Sequence, residues 1–155
     1  MNIRAARAED VPALADLATR TWLDAFGATV SPEDAAAEAE DGRSEERFGR
    51  VLGELTILVA EDGDALVGYA ELGDGELHRL YVETALQGRG IGRALLAAAL
   101  AHPRLANAPR VVLQVWDQNE RAVRLYESVG FRRTGTTRFT IGSEEVEDAV
   151  YELAR

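Results

Sequence analysis

Apolar and polar positions alternate along the chain with two different periods, and the switch between them divides the sequence into elements. Residues 2–6 read as a short strand with Ile3 and Ala5 on one face. Over residues 8–26 the apolar positions Val11, Leu14, Leu17, Ala18, Thr21, Trp22 and Ala25 fall on one helical stripe. Pro12 sits near the start of that helix, where a missing amide hydrogen costs little, and Gly27 supplies a stop. Ser31-Pro32-Glu33-Asp34 has the form of a helix start: a hydroxyl cap, proline in the first turn, then acids facing the positive helix end. This second helix is expected to reach residue 40 and to break at Asp41-Gly42. A third is expected over 45–52, with Phe48, Val51 and Leu52 facing in.

The period then shortens. Residues 55–61, 66–71 and 76–82 read as three strands separated by Asp62-Gly63-Asp64 and Asp74-Gly75, which predicts an antiparallel meander. A helix is expected over 90–102, with Leu95, Leu96, Ala99 and Leu100 inward and Pro103 helping to end it. The near-continuous apolar run 111–116 suggests a strand buried on both faces. A helix over 119–129, capped by Asn119 and stopped by Gly130, precedes two last strands at 131–139 and 146–153, with a turn at 142–145. The predicted fold class is therefore α/β: one domain over 1–155, a mixed and mostly antiparallel sheet with helices on both faces.

Composition narrows the chemistry. A chain of 155 residues, 46% hydrophobic, suits one domain with one core. There is no cysteine, so disulfides and thiolate chemistry are excluded, and two histidines make a histidine-rich metal site an unattractive reading; no metal is expected. All 17 basic residues are arginine against 27 acids, for a net charge of -10. The absence of lysine removes Schiff-base chemistry and the phosphate-loop lysine. The negative field argues against nucleic acid and anionic membrane as partners and favours a cationic small substrate. No apolar run is long enough for a membrane span or a leader after the basic start, so a cytoplasmic protein is expected.

The segment Gln87-Gly88-Arg89-Gly90-Ile91-Gly92 is the most informative in the chain. It follows a strand and opens a helix. Its glycines allow tight turns and close anion approach, and the helix mouth offers unpaired amides with the positive dipole end. Arg89 and Arg93 add local positive charge. The glycine spacing differs from the dinucleotide fingerprint, and a purely structural glycine turn is the competing explanation.

With the strand before it and the element order around it, this loop resembles the GCN5-related N-acetyltransferase (GNAT) superfamily, whose loop reads Q/R-x-x-G-x-G/A. Gln87, Gly90 and Gly92 match the three defining positions, Leu80-Tyr81-Val82 supplies the preceding apolar strand, and the element order fits over nearly the whole chain. The resemblance implies the GNAT fold with splayed fourth and fifth strands, here 76–82 and 111–116, and acetyl-CoA as acyl-donor substrate. It implies that Leu80, Tyr81 and Val82 face the pantetheine arm. Gln87, Gly88, Arg89, Gly90, Ile91, Gly92 and Arg93 would hold the pyrophosphate. Asn119 would contact the pantetheine arm as well as cap its helix. Tyr126 occupies the family's general-acid position and would protonate the leaving thiolate. Glu76 resembles the glutamate that acts as base in histone-type members; Glu71, Glu83 and His78 are further candidates. On strict alternation Glu76, His78, Leu80 and Val82 share a face, unless a bulge intervenes.

The implied reaction is direct transfer of an acetyl group to a primary amine of a small molecule. Protein N-terminal or lysine acetylation is an alternative, and a noncatalytic acyl-CoA binding module is another. Trp22, Phe26, Phe48, Tyr69 and Tyr151 are candidate acceptor-site walls, and Glu38, Glu40, Glu45 and Glu46 could draw a cation to the entrance. Asp148 matches an acidic position before the last strand of many relatives and reads mainly as structural. Relatives are monomers or homodimers, and no residue here marks an interface.

Overall fold

The computed structural model describes all 155 residues. Seven strands form one sheet in the order β1-β2-β3-β4-β5-β7-β6. They are β1 (Asn2–Ala5), β2 (Thr56–Asp62), β3 (Ala65–Gly73), β4 (Glu76–Val82), β5 (Arg110–Trp116), β6 (Arg132–Ile141) and β7 (Glu144–Ala154). Every neighbouring pair is antiparallel except β4 and β5. The helices are α1 (Val11–Phe26), α2 (Pro32–Arg43), α3 (Glu45–Val51), α4 (Ile91–Ala101), α5 (Pro103–Ala106) and α6 (Glu120–Ser128). None is long and apolar enough to cross a membrane.

Three apolar clusters hold these layers. On one face α1 and α3 bury Leu14, Leu17, Ala18 and Phe48 against Ile57, Val59 and Tyr69 of β2 and β3. On the other, α4 buries Leu95, Leu96 and Ala99 against β3, β4 and β5, and Tyr126 and Phe131 extend the cluster. A third joins Trp22 and Phe26 at the end of α1, Ala35 and Ala39 of α2, and Ile141 and Val146 of the β6–β7 hairpin. Helix α2 thus packs beside the hairpin and walls off one end of the sheet.

Three local expectations change. Helix α2 does not stop at Asp41-Gly42 but runs on to Arg43. One glycine costs a helix only about 1 kcal/mol, and Arg79 donates to the Gly42 carbonyl at 3.0 Å, a contact invisible in local sequence. Ser44, rather than Gly42, ends α2 and caps α3 by accepting from the Arg47 amide at 3.1 Å. Pro103 ends α4 but also begins α5, whose Arg104 amide donates to the His102 ring at 3.2 Å. Strand β5 is not buried on both faces: Val111, Leu113 and Val115 are core, whereas Val112, Gln114 and Trp116 look into open space.

That space exists because β4 and β5 part. Their parallel register holds only for Glu76↔Val112 and Leu77↔Leu113. Beyond Leu77 the strands diverge. A bulge against β3 accompanies the divergence, for Arg79 pairs with Glu71 and Leu77 with Leu72, leaving His78 extra. The bulge breaks strict alternation: Leu77 and Leu80 both pack on the α4 side, while Tyr81 packs on the α1 side. Glu76 therefore does not share a face with Leu80 and Val82.

Candidate active site

Two cavities meet in the gap between β4 and β5. The larger, about 970 Å³, runs from the gap along residues 86–93 and α6. The smaller, about 430 Å³, lies between the splayed strands, α2 and the β6–β7 hairpin. Leu80, Tyr81, Trp116, Asn119, Ala122 and Tyr126 border both.

The larger cavity ends at the mouth of α4. Gly88 and Gly90 adopt φ of 84° and 86°, the left-handed region where a Cβ is disfavoured. Gly90 caps α4 without a side chain to occupy the first-turn amides. Those of Ile91, Gly92 and Arg93 are left as donors, because the first bond back to Gly90 comes from Ala94. Arg121, missed in the sequence, belongs to the cradle: its guanidinium lies 3.2 Å from where a Gly88 Cβ would sit, and it lines the cavity with Arg124. Their shared basic face on α6, three residues apart, was the available signal. The loop is tied to α1 by Arg20 to Glu83 at 2.5 Å and Thr84 to Asp24 at 2.6 Å.

All the sequence-predicted cofactor residues line this cavity except Arg89, whose exposed side chain lies off the wall. The strand residues divide by hydrogen bonding. Glu83 donates its amide to Val67 of β3, and in an antiparallel pair alternate residues bond to the same neighbour. The amides of Arg79 and Tyr81 are therefore taken up by β3, and those of Leu80 and Val82 point into the gap. Asn119 accepts from the Ala122 amide at 3.3 Å through Oδ1, capping α6, which leaves its NH2 for a ligand. A phosphorylated, elongated thioester fits this cavity: an amide cradle with guanidiniums at one end, and a slot with free strand amides at the other.

Tyr126 stands where the cavities join. It is 6% exposed, with its ring 5.8 Å from that of Phe131 in an edge contact. Burial pushes its phenol well above the ordinary value, so the group is protonated at neutral pH.

The smaller cavity holds only some of the residues expected at the acceptor site. Trp22, Phe26, Phe139 and Ile141 line it, whereas Phe48, Tyr69 and Tyr151 lie in the cores. Of the four glutamates considered for attracting a cation, only Glu38 borders it. Two arginines do as well. Arg43 is 8% exposed and stacks over Trp22 at 4.8 Å; Arg79 is largely buried. Guanidiniums and carboxylates thus share this cavity.

Among the proposed bases, Glu71 is fully buried and held by Arg47 at 2.5 and 2.8 Å, away from the cavity. Glu83 is bound to Arg20. Glu76 and His78 line the cavity where β4 and β5 still pair, 3.1 Å from one another, with the Glu76 side chain 52% exposed. Asp148, read from sequence as structural, also lines the cavity. Its Oδ1 is buried without a hydrogen-bond partner, and burial, with Asp117 nearby, pushes its carboxyl up to about 6.

Comparison with known proteins agrees with this geometry. The sequence profile of the acetyltransferase (GNAT) domain matches residues 27–147. An uncharacterised N-acetyltransferase of Mycobacterium tuberculosis is 35% identical over 148 residues, covering 91% of this chain and 95% of the relative. The L-amino acid N-acyltransferase MnaT of Escherichia coli is 30% identical over 140 residues, covering 84% of this chain and 79% of MnaT. The PaiA N-acetyltransferase of Thermoplasma acidophilum, solved in complex with coenzyme A, superposes with a TM-score of 0.82 at 24% identity, over 99% of this chain and 98% of PaiA. A seven-stranded sheet splayed at β4 and β5, a glycine cradle at α4 and these matches lead to one conclusion: the chain belongs to the GNAT family and is an acetyl-CoA-dependent N-acetyltransferase.

Proposed function

We propose that the enzyme acetylates a primary amine of a small molecule by direct attack, with donor and acceptor bound together. The observation that carries this reading is the junction of two cavities at Tyr126, of about 970 and 430 Å³, the first with room for the donor and the second for a single small ligand. The name of MnaT, which gives an L-amino acid as its substrate, supports a small acceptor over a protein one.

When bound, acetyl-CoA supplies an acetyl group activated as a thioester. The amides at the α4 mouth, with Arg93 and Arg121, hold its diphosphate. The free amides of Leu80 and Val82 orient the thioester and stabilise charge developing on its carbonyl oxygen. Asp148 accepts a proton from the acceptor ammonium, whose reference pKa of about 10.4 otherwise keeps it from attacking. The amine nitrogen then forms the new C–N bond as the C–S bond breaks. Tyr126 gives its phenolic proton to the departing sulfur and recovers one, through solvent, from the acylated nitrogen. Asp148 returns its proton to water. A second reading gives the first proton to Glu76 through His78, because those side chains are in contact and border the same cavity.

Tyr126→Phe tests the junction. The expected result is a loss in kcat of about 100-fold with coenzyme A affinity nearly unchanged, read by thiol release and by calorimetry. Undiminished kcat would remove Tyr126 from the chemistry.

A further inference from the structure

The acceptor cavity holds an imbalance that acetyl transfer alone does not explain. Three guanidiniums, those of Arg43, Arg47 and Arg79, cluster between α2, α3 and β4. Glu71 answers two of them: Arg47 at 2.5 Å and Arg79 at 3.5 Å. Arg43 has no such partner. Its nearest carboxylate, Glu38, lies 3.9 Å away on a side chain 42% exposed, it makes a long 3.5 Å bond to the Glu38 carbonyl, and its other neighbours, the Trp22 ring and the Tyr81 hydroxyl, carry no formal charge. Its Nε is buried with no acceptor at all. Burial and the neighbouring Arg79 pull the Arg43 guanidinium down from its ordinary value, the sign of a cation short of counter-charge. A buried charge left unpaired is strongly unfavourable unless a ligand completes it.

Asp148 is the complementary case in the same cavity, its Oδ1 buried and unpartnered. Asp148 enters from β7 and Arg43 from the end of α2. One unsatisfied anion and one unsatisfied cation lining a single small cavity match the two charges of a zwitterion.

We propose that the acceptor carries a carboxylate as well as its amine, as a free amino acid does, with Arg43 binding the carboxylate and Asp148 the ammonium. This rests on the reading of the smaller cavity as the acceptor site, and it narrows that reading to a substrate class. The planar guanidinium suits a carboxylate through paired N–H donors. Trp22, stacked beneath Arg43, holds it in place. A lysine side chain within a protein offers no adjacent carboxylate, and neither does a chain N-terminus.

Thiol release from acetyl-CoA, measured across matched acceptors, tests this. The acceptors are a set of L-amino acids, the C-terminal amide of each, and each corresponding amine lacking the carboxylate. In the wild type the best amino acid is expected to exceed its amide and its carboxylate-free amine in kcat/KM by about 100-fold. In Arg43→Gln that preference falls to within a few-fold, through KM for the acid; Arg43→Lys restores part of it. Coenzyme A affinity serves as the folding check on both variants, and the wild-type comparison needs no variant. Equal or better turnover of carboxylate-free amines or peptides overturns the zwitterion proposal and leaves the transferase reading intact. Coenzyme A binding with no thiol release from any amine overturns the transferase reading itself.

Discussion

A single side chain can be read against both stability and catalysis, and Asp148 is the instance here. Its carboxyl is pushed up to about 6 from an ordinary value near 4. The folded state then binds the proton more tightly than the unfolded chain does. Stability contributed by the protonated form is present at low pH and is lost as pH rises from about 4 through 6. Asp148→Asn is expected to be the more stable protein at pH 7.5, by about 1 kcal/mol once the shift is discounted for a half-buried group. The gain should disappear near pH 3.5, where the wild-type carboxyl is itself neutral. Thermal melts at the two pH values check this. The wild type is expected to show a rise in kcat/KM with pH through about 6, and the same variant to lose it. The inward face of Tyr126 and the cap at Asn119 were legible in the sequence because each sits in a local helical pattern, whereas their roles toward the donor came only from the family resemblance. Asp148 and Arg43 were not legible, because their significance is a missing partner. A hydrogen bond that is not made leaves no trace in the order of residues.

Elements carried more of the site than individual residues did. The meander β2–β3–β4 and the helices α1, α4 and α6 follow from apolar period and caps. The loop before α4 followed from its glycines. Gly90→Ala asks what that loop contributes: nothing lies within 4 Å of the added methyl, so the penalty is the left-handed backbone alone. That conformation costs a non-glycine residue about 1–2 kcal/mol. Coenzyme A affinity should fall about tenfold, measured by calorimetry, with the melting temperature changing little if the loop relaxes. What sequence could not supply was the end of α2. Its last turn survives Gly42 because Arg79 reaches across from β4, and that extra turn carries Arg43 into the cavity. Nor could the run Val111–Trp116 announce that half of its side chains face a cavity, because apolar residues serve a core and a ligand wall equally well.

At the scale of the whole molecule, charge is distributed against its own average. The chain is strongly acidic, yet guanidiniums gather at both ends of its reaction path: Arg93, Arg121 and Arg124 around the donor cradle, and Arg43 and Arg79 around the acceptor. Net charge suggested a cationic substrate, but it gave no sign of the guanidiniums that stand beside the carboxylates of the acceptor cavity. The sheet order explains how one small domain holds two ligands. By parting after a short parallel contact, β4 and β5 give up several backbone bonds and gain a passage between two sides of the molecule.

A passage with two mouths has a kinetic signature. Donor and acceptor arriving through separate entrances need not queue, since neither can bar the other's way. Steady-state rates should give intersecting double-reciprocal lines. Coenzyme A should compete with the donor but act as a mixed inhibitor against the amine. Parallel lines would mean that the donor leaves its acetyl group on an enzyme side chain and departs before the amine binds.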